Sequence, residues 1–241
     1  MYDLLTSLRF DESLERLRTR PSPLLLLGYH LDRLREAAVA HEWPDAQQAL
    51  DYDALLHKCQ EAVASYAGDA PASAFKIRVT LSRAGLLTAT ASPVKPFKID
   101  PTSPSFSKPL TDSATLYGPA MTLFVDPEPT PPSGLFTSTK TTERTVYNAS
   151  RARVGLPSLP TDDADVIMYN SQLHITEASE WVTPPLASGC LPGVLRRWLL
   201  QHKRIREAAE GELTKSRLNP GDWVLLFNCV HGCRLGRITA S

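Results

Sequence analysis

Several side chains stand out for the chemistry they could perform. Lys140, inside the run Thr-Ser-Thr-Lys-Thr-Thr (137–142), carries an amine that becomes a nucleophile and a base once desolvation lets it shed its proton; taken alone, it is a solvated surface charge. Arg33 offers a planar fork of donors suited to an anion, or is an exposed helix charge. Gly193 and Val194, which follow Pro192, present backbone amides at the expected start of a helix, a ready anion site that also reads as a simple cap. Cys229, His231 and Cys233 alternate, so an extended strand would place three zinc-type ligands on one face. No fourth ligand accompanies them, and alternate positions on one strand do not converge tetrahedrally, so we assign no metal site.

Composition sets the bounds. The 241 residues are long enough for one or two domains, with 42% apolar and 22% charged residues, as in ordinary globular proteins. Lysine plus arginine and aspartate plus glutamate both number 26, so charge favours neither nucleic acid nor an anionic membrane as partner. Met1-Tyr2-Asp3-Leu4 has no basic region or long apolar stretch of the kind a secretory signal needs, and the apolar run at Pro23–Leu27 is too short to span a bilayer. Four cysteines in a chain this long do not make a disulfide scaffold, and the expected setting is the cytoplasm, with reduced thiols.

The elements that must position these residues follow from periodicity. Residues 2–9 alternate as a strand, residues 11–17 read as a short helical or irregular connection, and Pro23–Gly28 reads as a short buried strand. From Tyr29 to about His41, and again from Tyr52 to Tyr66, apolar residues recur at helical spacing. Ala74–Ser82 and Leu86–Ser92 form a hairpin around Arg83-Ala84-Gly85. Residues 1–92 thus make a small α+β domain. Proline clusters then mark 93–133 as an interdomain segment, with Ala120–Val125 the one strand candidate inside it. In 134–241, the larger domain, Leu135–Thr139 reads as a strand, Thr141–Arg153 as a helix, and Lys140 as their junction. Asp165–Asn170 and Leu173–Thr176 are strands, Val194–His202 a helix, and Asp222–Cys229 the final strand after the turn at Asn219-Pro220-Gly221.

Four segments, in order, carry a resemblance over nearly the whole chain. They are Tyr29-His30-Leu31-Asp32-Arg33-Leu34, Lys140 within TKTTERTVYNASR, Ile175-Thr176-Glu177-Ala178-Ser179, and the run WVTPPLASGCLPGVLR (181–196). Together they resemble the fold-type IV pyridoxal-phosphate (PLP) enzymes, the class IV aminotransferase superfamily, and within it the fungal-type aminodeoxychorismate lyases. The resemblance implies a two-domain α+β fold like that of D-amino acid aminotransferase, with the cofactor at the domain interface, and a homodimer acting on a small molecule. It gives Lys140 the Schiff base, Glu177 the pyridine nitrogen, and Arg33 with the Gly193 and Val194 amides the phosphate. Asn228 and Cys229 open the second phosphate-side loop, more loosely matched. Thr6 and Ser7 occupy the first-strand position on the substrate side, and Arg78 is a candidate for a substrate carboxylate or simply a polar strand residue. The implied activity is conversion of 4-amino-4-deoxychorismate to 4-aminobenzoate, a folate precursor, and pyruvate; a class IV transaminase and a non-catalytic remnant are the alternatives. One departure bears on the last. Ser179 runs straight on into Glu180-Trp181-Val182-Thr183-Pro184-Pro185, where the family continues through a further strand and turn, and Leu173–Thr183 contains no Gly, Pro, Asn or Asp to turn a hairpin. A hairpin thus looks to be missing after Ser179.

Overall fold

A computed structural model describes residues 2–17, 22–67, 71–102, 119–131, 134–159, 161, 163–171, 182–209 and 211–240. They form two compact units: Met1–Pro101 with Thr139–Glu143, and Thr102–Ser138 with Arg144–Ser241. The fold is mixed α and β.

In the first unit, β1 (Leu4–Asp11), β2 (Ala74–Leu81) and β3 (Leu87–Pro93) make an antiparallel sheet in that order. The β1–β2 register pairs Thr6 with Val79 and Ser7 with Arg78, which sends alternate residues to opposite faces. Leu4, Leu8, Ile77, Val79 and Leu81 enter the core. α1 (Ser13–Leu17) follows β1. α2 (Leu27–Ala40) and α4 (Tyr52–Ala64), with the short α3 (Pro44–Gln48) between them, bury Leu31, Leu34, Ala38, Leu55 and Cys59 against that face. Asp51 caps α4 by accepting the Asp53 and Ala54 amides. The β2–β3 hairpin turns at Gly85, whose φ is +79° and where a Cβ would sit 2.8 Å from the Asp45 carbonyl oxygen; glycine alone fits.

The expected strand at Pro23–Gly28 is not formed. Leu24 makes one isolated bridge to Phe10, Leu26 adopts φ 57°, and α2 begins at Leu27. A continuous apolar run has no period of its own, and the buried leucines here open a helix.

The second unit holds a sheet ordered β5 (Ala164–Ile167), β4 (Met121–Val125), β9 (Gly232–Ile238), β8 (Trp223–Asn228). β4 runs parallel to β5 and β9, and β8 pairs antiparallel to β9. Met121, Leu123, Ile167, Val224 and Ile238 pack together between these strands. β6 (Val182–Thr183) pairs in parallel with β7 (Arg206–Glu207). The helices are α5 (Leu135–Ser138), α6 (Thr145–Arg153) and α7 (Val194–Gln201).

Three expectations change here. Leu135–Thr139 is a helical turn, because the Gly134 carbonyl accepts the Thr137 and Ser138 amides and the Ser138 hydroxyl. The segment Asp165–Asn170 is strand only to Ile167, with Asn170 bridging Thr130. Asp222–Cys229 is not the last strand, since β9 follows. The β8–β9 turn also removes the proposed alternation of Cys229, His231 and Cys233. The Asn228 side-chain oxygen accepts the Val230 and His231 amides, both at 2.8 Å, so Cys229 and His231 lie in a turn. The strand expected at Leu173–Thr176, Glu177, and the Ser179–Glu180 junction lie outside the described residues.

Candidate active site

Lys140 is held by its neighbours in sequence. The Lys140 carbonyl accepts the Leu5 amide at 2.8 Å, Thr141 bridges Leu4, and Thr142 exchanges hydrogen bonds with Asp3 through both its amide and its hydroxyl. This lays residues 140–142 as an extra rung along the free edge of β1. Thr139 adds a tether: its hydroxyl bonds His41 Nε2 at 2.7 Å, and His41 Nδ1 bonds the Tyr2 hydroxyl at 2.9 Å. Half-buried Lys140 therefore sits on a backbone fixed on both sides.

Beside it, the inner face of the first sheet carries a buried polar group. Thr6 shares the face of Leu4 and Leu8, is 0% exposed, and lies beneath α2. Its hydroxyl is 2.6 Å from His30 Nδ1 and accepts a bond from the Arg33 guanidinium, whose same nitrogen is 3.4 Å from Nδ1. His30 and Arg33 are one helical turn apart on α2, which aims both at Thr6. His30 is 0% exposed and Arg33 8%. Burial, then the Arg33 charge, then the Lys140 charge push the His30 imidazole well below its usual pKa of 6.5. That ordering also brings Lys140 and Arg33 within electrostatic reach of one ring.

The sign of the resulting pH dependence is fixed. A base whose folded pKa lies below its unfolded value binds fewer protons folded than unfolded, so stability is flat above about pH 6.5 and falls as pH drops below it. His41, depressed by burial, adds to the same trend. Urea melts between pH 8 and pH 5 should show stability falling on the acid side of 6.5, with a shallower fall in His30→Asn. A slope unchanged by that substitution would contradict the assignment of a neutral, buried His30.

Arg78 is not part of this group. It is exposed on the opposite face of the sheet, alongside Lys76 and Thr80. Thr6, the other substrate candidate, has its hydroxyl committed inward.

In the second unit, Pro192 and Gly193 lead into α7 as expected. The Gly193 amide donates to the Leu191 carbonyl at 2.8 Å, so the unshared amides of this helix begin at Val194. Arg196, 7% exposed, fixes the preceding loop: it donates to the Thr183 hydroxyl at 3.1 Å, to the Pro184 carbonyl at 2.7 Å and to Glu207 at 2.5 Å. Asn170 adds a bond to the Ser188 carbonyl at 3.1 Å. A small pocket, open to solvent, is lined by Ser188, Gly189, Cys190 and Leu191 together with Tyr147 of α6 and Asn170. Two motif segments far apart in sequence thus meet at one cavity. Asn228 has its side-chain oxygen engaged in the β8–β9 turn, and Cys229 is buried there.

His30, His41 with Thr139, and Arg196 are the residues that sequence reasoning did not pick out as positioning the site. Their signal was local only for His30, one turn before Arg33. In the first unit, the Lys140 amine and the Arg33 guanidinium suit PLP in the chemistry of their donors; the second unit, taken by itself, offers the Val194 amide. His30 Nε2, wholly buried, has no hydrogen-bond partner among the described residues.

The amino-transferase class IV family model matches residues 13–237. A Schizosaccharomyces pombe protein described as "Putative aminodeoxychorismate lyase" is 28% identical over 223 residues, covering 85% of this chain and 80% of that protein. The aminodeoxychorismate lyase of Saccharomyces cerevisiae is 32% identical over 127 residues, which cover 43% of this chain and only 33% of the yeast protein. Among solved structures, a "Putative amino-acid aminotransferase" from Mesorhizobium loti superposes with a TM-score of 0.69 at 20% identity, covering 99% of this chain and 100% of that one. The fold is that of the fold-type IV enzymes, a family that works with PLP. The chain belongs to the class IV aminotransferase family.

Proposed function

We propose that this protein is a PLP-dependent lyase that converts 4-amino-4-deoxychorismate to 4-aminobenzoate and pyruvate. The observation that carries the reading is the placement of Lys140 on the edge of β1, in the same unit as the buried Arg33–Thr6–His30 group. Similarity to two proteins named for this activity supports the choice of substrate.

When bound, PLP supplies an electron sink for the charge left on the substrate as its proton departs. Lys140 Nζ would be the amine that holds the cofactor and the base that takes the proton from the ring carbon bearing the substrate's amine. Arg33 would hold the phosphate as a two-pronged cation, and the Val194 amide at the head of α7, in the second unit, is the neutral donor that the resemblance assigns to the same group. Asn228 and Cys229, at the β8–β9 turn, would belong to the second, more loosely matched phosphate-side loop. Glu177, which lies outside the described residues, would keep a proton on the pyridine nitrogen. The backbone rung along β1 limits the motion of Lys140, so its amine stays within reach of both partners during the exchange.

The test is a product assay with protein, PLP and 4-amino-4-deoxychorismate, and no 2-oxo acid. Equimolar 4-aminobenzoate and pyruvate are expected. Turnover that requires a 2-oxo acid would make the protein a transaminase. Failure to bind PLP, with a cooperative thermal transition, would make it a folded remnant; the short run from Ser179 to Pro185 is the feature that favours that second reading.

A further inference from the structure

We propose that His30 is a positioning residue for the phosphate-binding arginine, acting through the Thr6 hydroxyl. The proposal rests on the PLP reading above. Its basis is a proton count. Arg33 can only donate, so the Thr6 oxygen is the acceptor in their contact. The hydroxyl's own proton then has one neighbour to go to, His30 Nδ1 at 2.6 Å. Nδ1 must present a lone pair, which places the ring proton on Nε2. The chain therefore runs in one direction, from Arg33 to Thr6 to His30. A protonated imidazole would reverse the middle link and put an N–H opposite the guanidinium nitrogen 3.4 Å away. Burial beside Arg33 and Lys140 works against that charge.

The consequence falls on Arg33. One nitrogen of its fork is pinned beneath α2, which fixes the rotation of the guanidinium and directs its remaining N–H donors. A group serving only to fill the core would be expected to be apolar, because a buried Nε2–H without a partner is destabilising. The one engaged atom of the ring is Nδ1.

The experiment compares two ligands that differ by the phosphate. Wild type, His30→Leu, His30→Asn, Thr6→Val and Arg33→Gln are titrated with PLP and with pyridoxal, following visible absorbance, after circular dichroism confirms a cooperative melt for each. His30→Leu and Thr6→Val are expected to weaken PLP by about tenfold and leave pyridoxal within about threefold. His30→Asn, whose side-chain oxygen falls near the place of Nδ1, should retain most of the PLP affinity. Adding His30→Leu to Arg33→Gln should cost nothing more for PLP. Equal loss for both ligands, no loss for either, or additive loss in the double variant would overturn the role. Should one variant fail to melt cooperatively, the other two relay substitutions carry the comparison. A wild type that binds neither ligand overturns the PLP reading itself, and this role with it; binding by the wild type separates the two failures.

Discussion

Lys140→Ala is expected to abolish the visible chromophore that borohydride would otherwise fix to the protein, and to reduce pyruvate release by at least about a thousandfold. The size follows from two tasks resting on one atom. In the proposed function Nζ would both hold the cofactor and move the substrate proton, and alanine can do neither. The substitution should be silent for folding. The Lys140 carbonyl, Thr141, Thr142 with Asp3, and Thr139 with His41 all make bonds that hold this segment and do not need the lysine side chain. Wild type and variant should thus melt within about 0.5 kcal/mol of each other while differing completely in borohydride labelling. If the variant kept the fixable colour, another amine would be the attachment point and the reading of Lys140 would fail. If an unfolded baseline accompanied the loss of colour, the segment would depend on its side chain in a way the backbone bonds do not suggest.

The largest loss of stability is expected at Asp11. Its carboxylate is 0% exposed and gathers five donors: Arg9 Nε at 2.9 Å and a terminal Arg9 nitrogen at 2.7 Å, the Ser13 amide and hydroxyl at 3.0 and 2.6 Å, and the Phe97 amide at 2.8 Å. Arg9 is 2% exposed and also lies over the Phe97 ring, 3.7 Å from its centroid. Burial pulls the Arg9 pKa down, and the bond and charge of Asp11 oppose that pull. Asp11→Ala removes the carboxylate that faces the buried Arg9 guanidinium and should cost about 3–5 kcal/mol by urea unfolding. Replacing both partners, as in Arg9→Met with Asp11→Leu, should cost less than Asp11→Ala alone, because the buried cation is removed together with its carboxylate. A double variant weaker than the single would show the pair to be a net source of stability.

Much of this fold is written in period and spacing. α2 and α4 follow from apolar residues three and four apart, and the β2–β3 hairpin from alternation around Gly85. Misreadings fall where local pattern is silent. The leucines of Pro23–Gly28 have no alternation to choose between strand and helix, and packing settled them as the start of α2. Leu135–Thr139 mixes aromatic and β-branched residues that suit a strand, yet the Gly134 carbonyl gathers them into a turn. β9 was missed because two glycines and two arginines dilute its alternation, and only its pairing with β4 and β8 makes it a strand. At the candidate site, motif order pointed to Lys140 and Arg33. The bonds that orient them did not show: Thr6 is 24 residues from His30 and 27 from Arg33, and Thr139 is 98 from His41. No window of sequence spans such contacts.

The rung along β1 has a consequence for the order in which the molecule assembles. Asp3 and Thr142 are 139 positions apart, yet their bonds seat the lysine. Closing so long a loop carries an entropic cost that only later contacts repay, so this pairing belongs among the late, non-local events of folding. A growing chain can complete the hairpin and its two helices while the amine is still being synthesised. Lys140 is then delivered to a β-edge already built, and the chemistry proposed for it would switch on last.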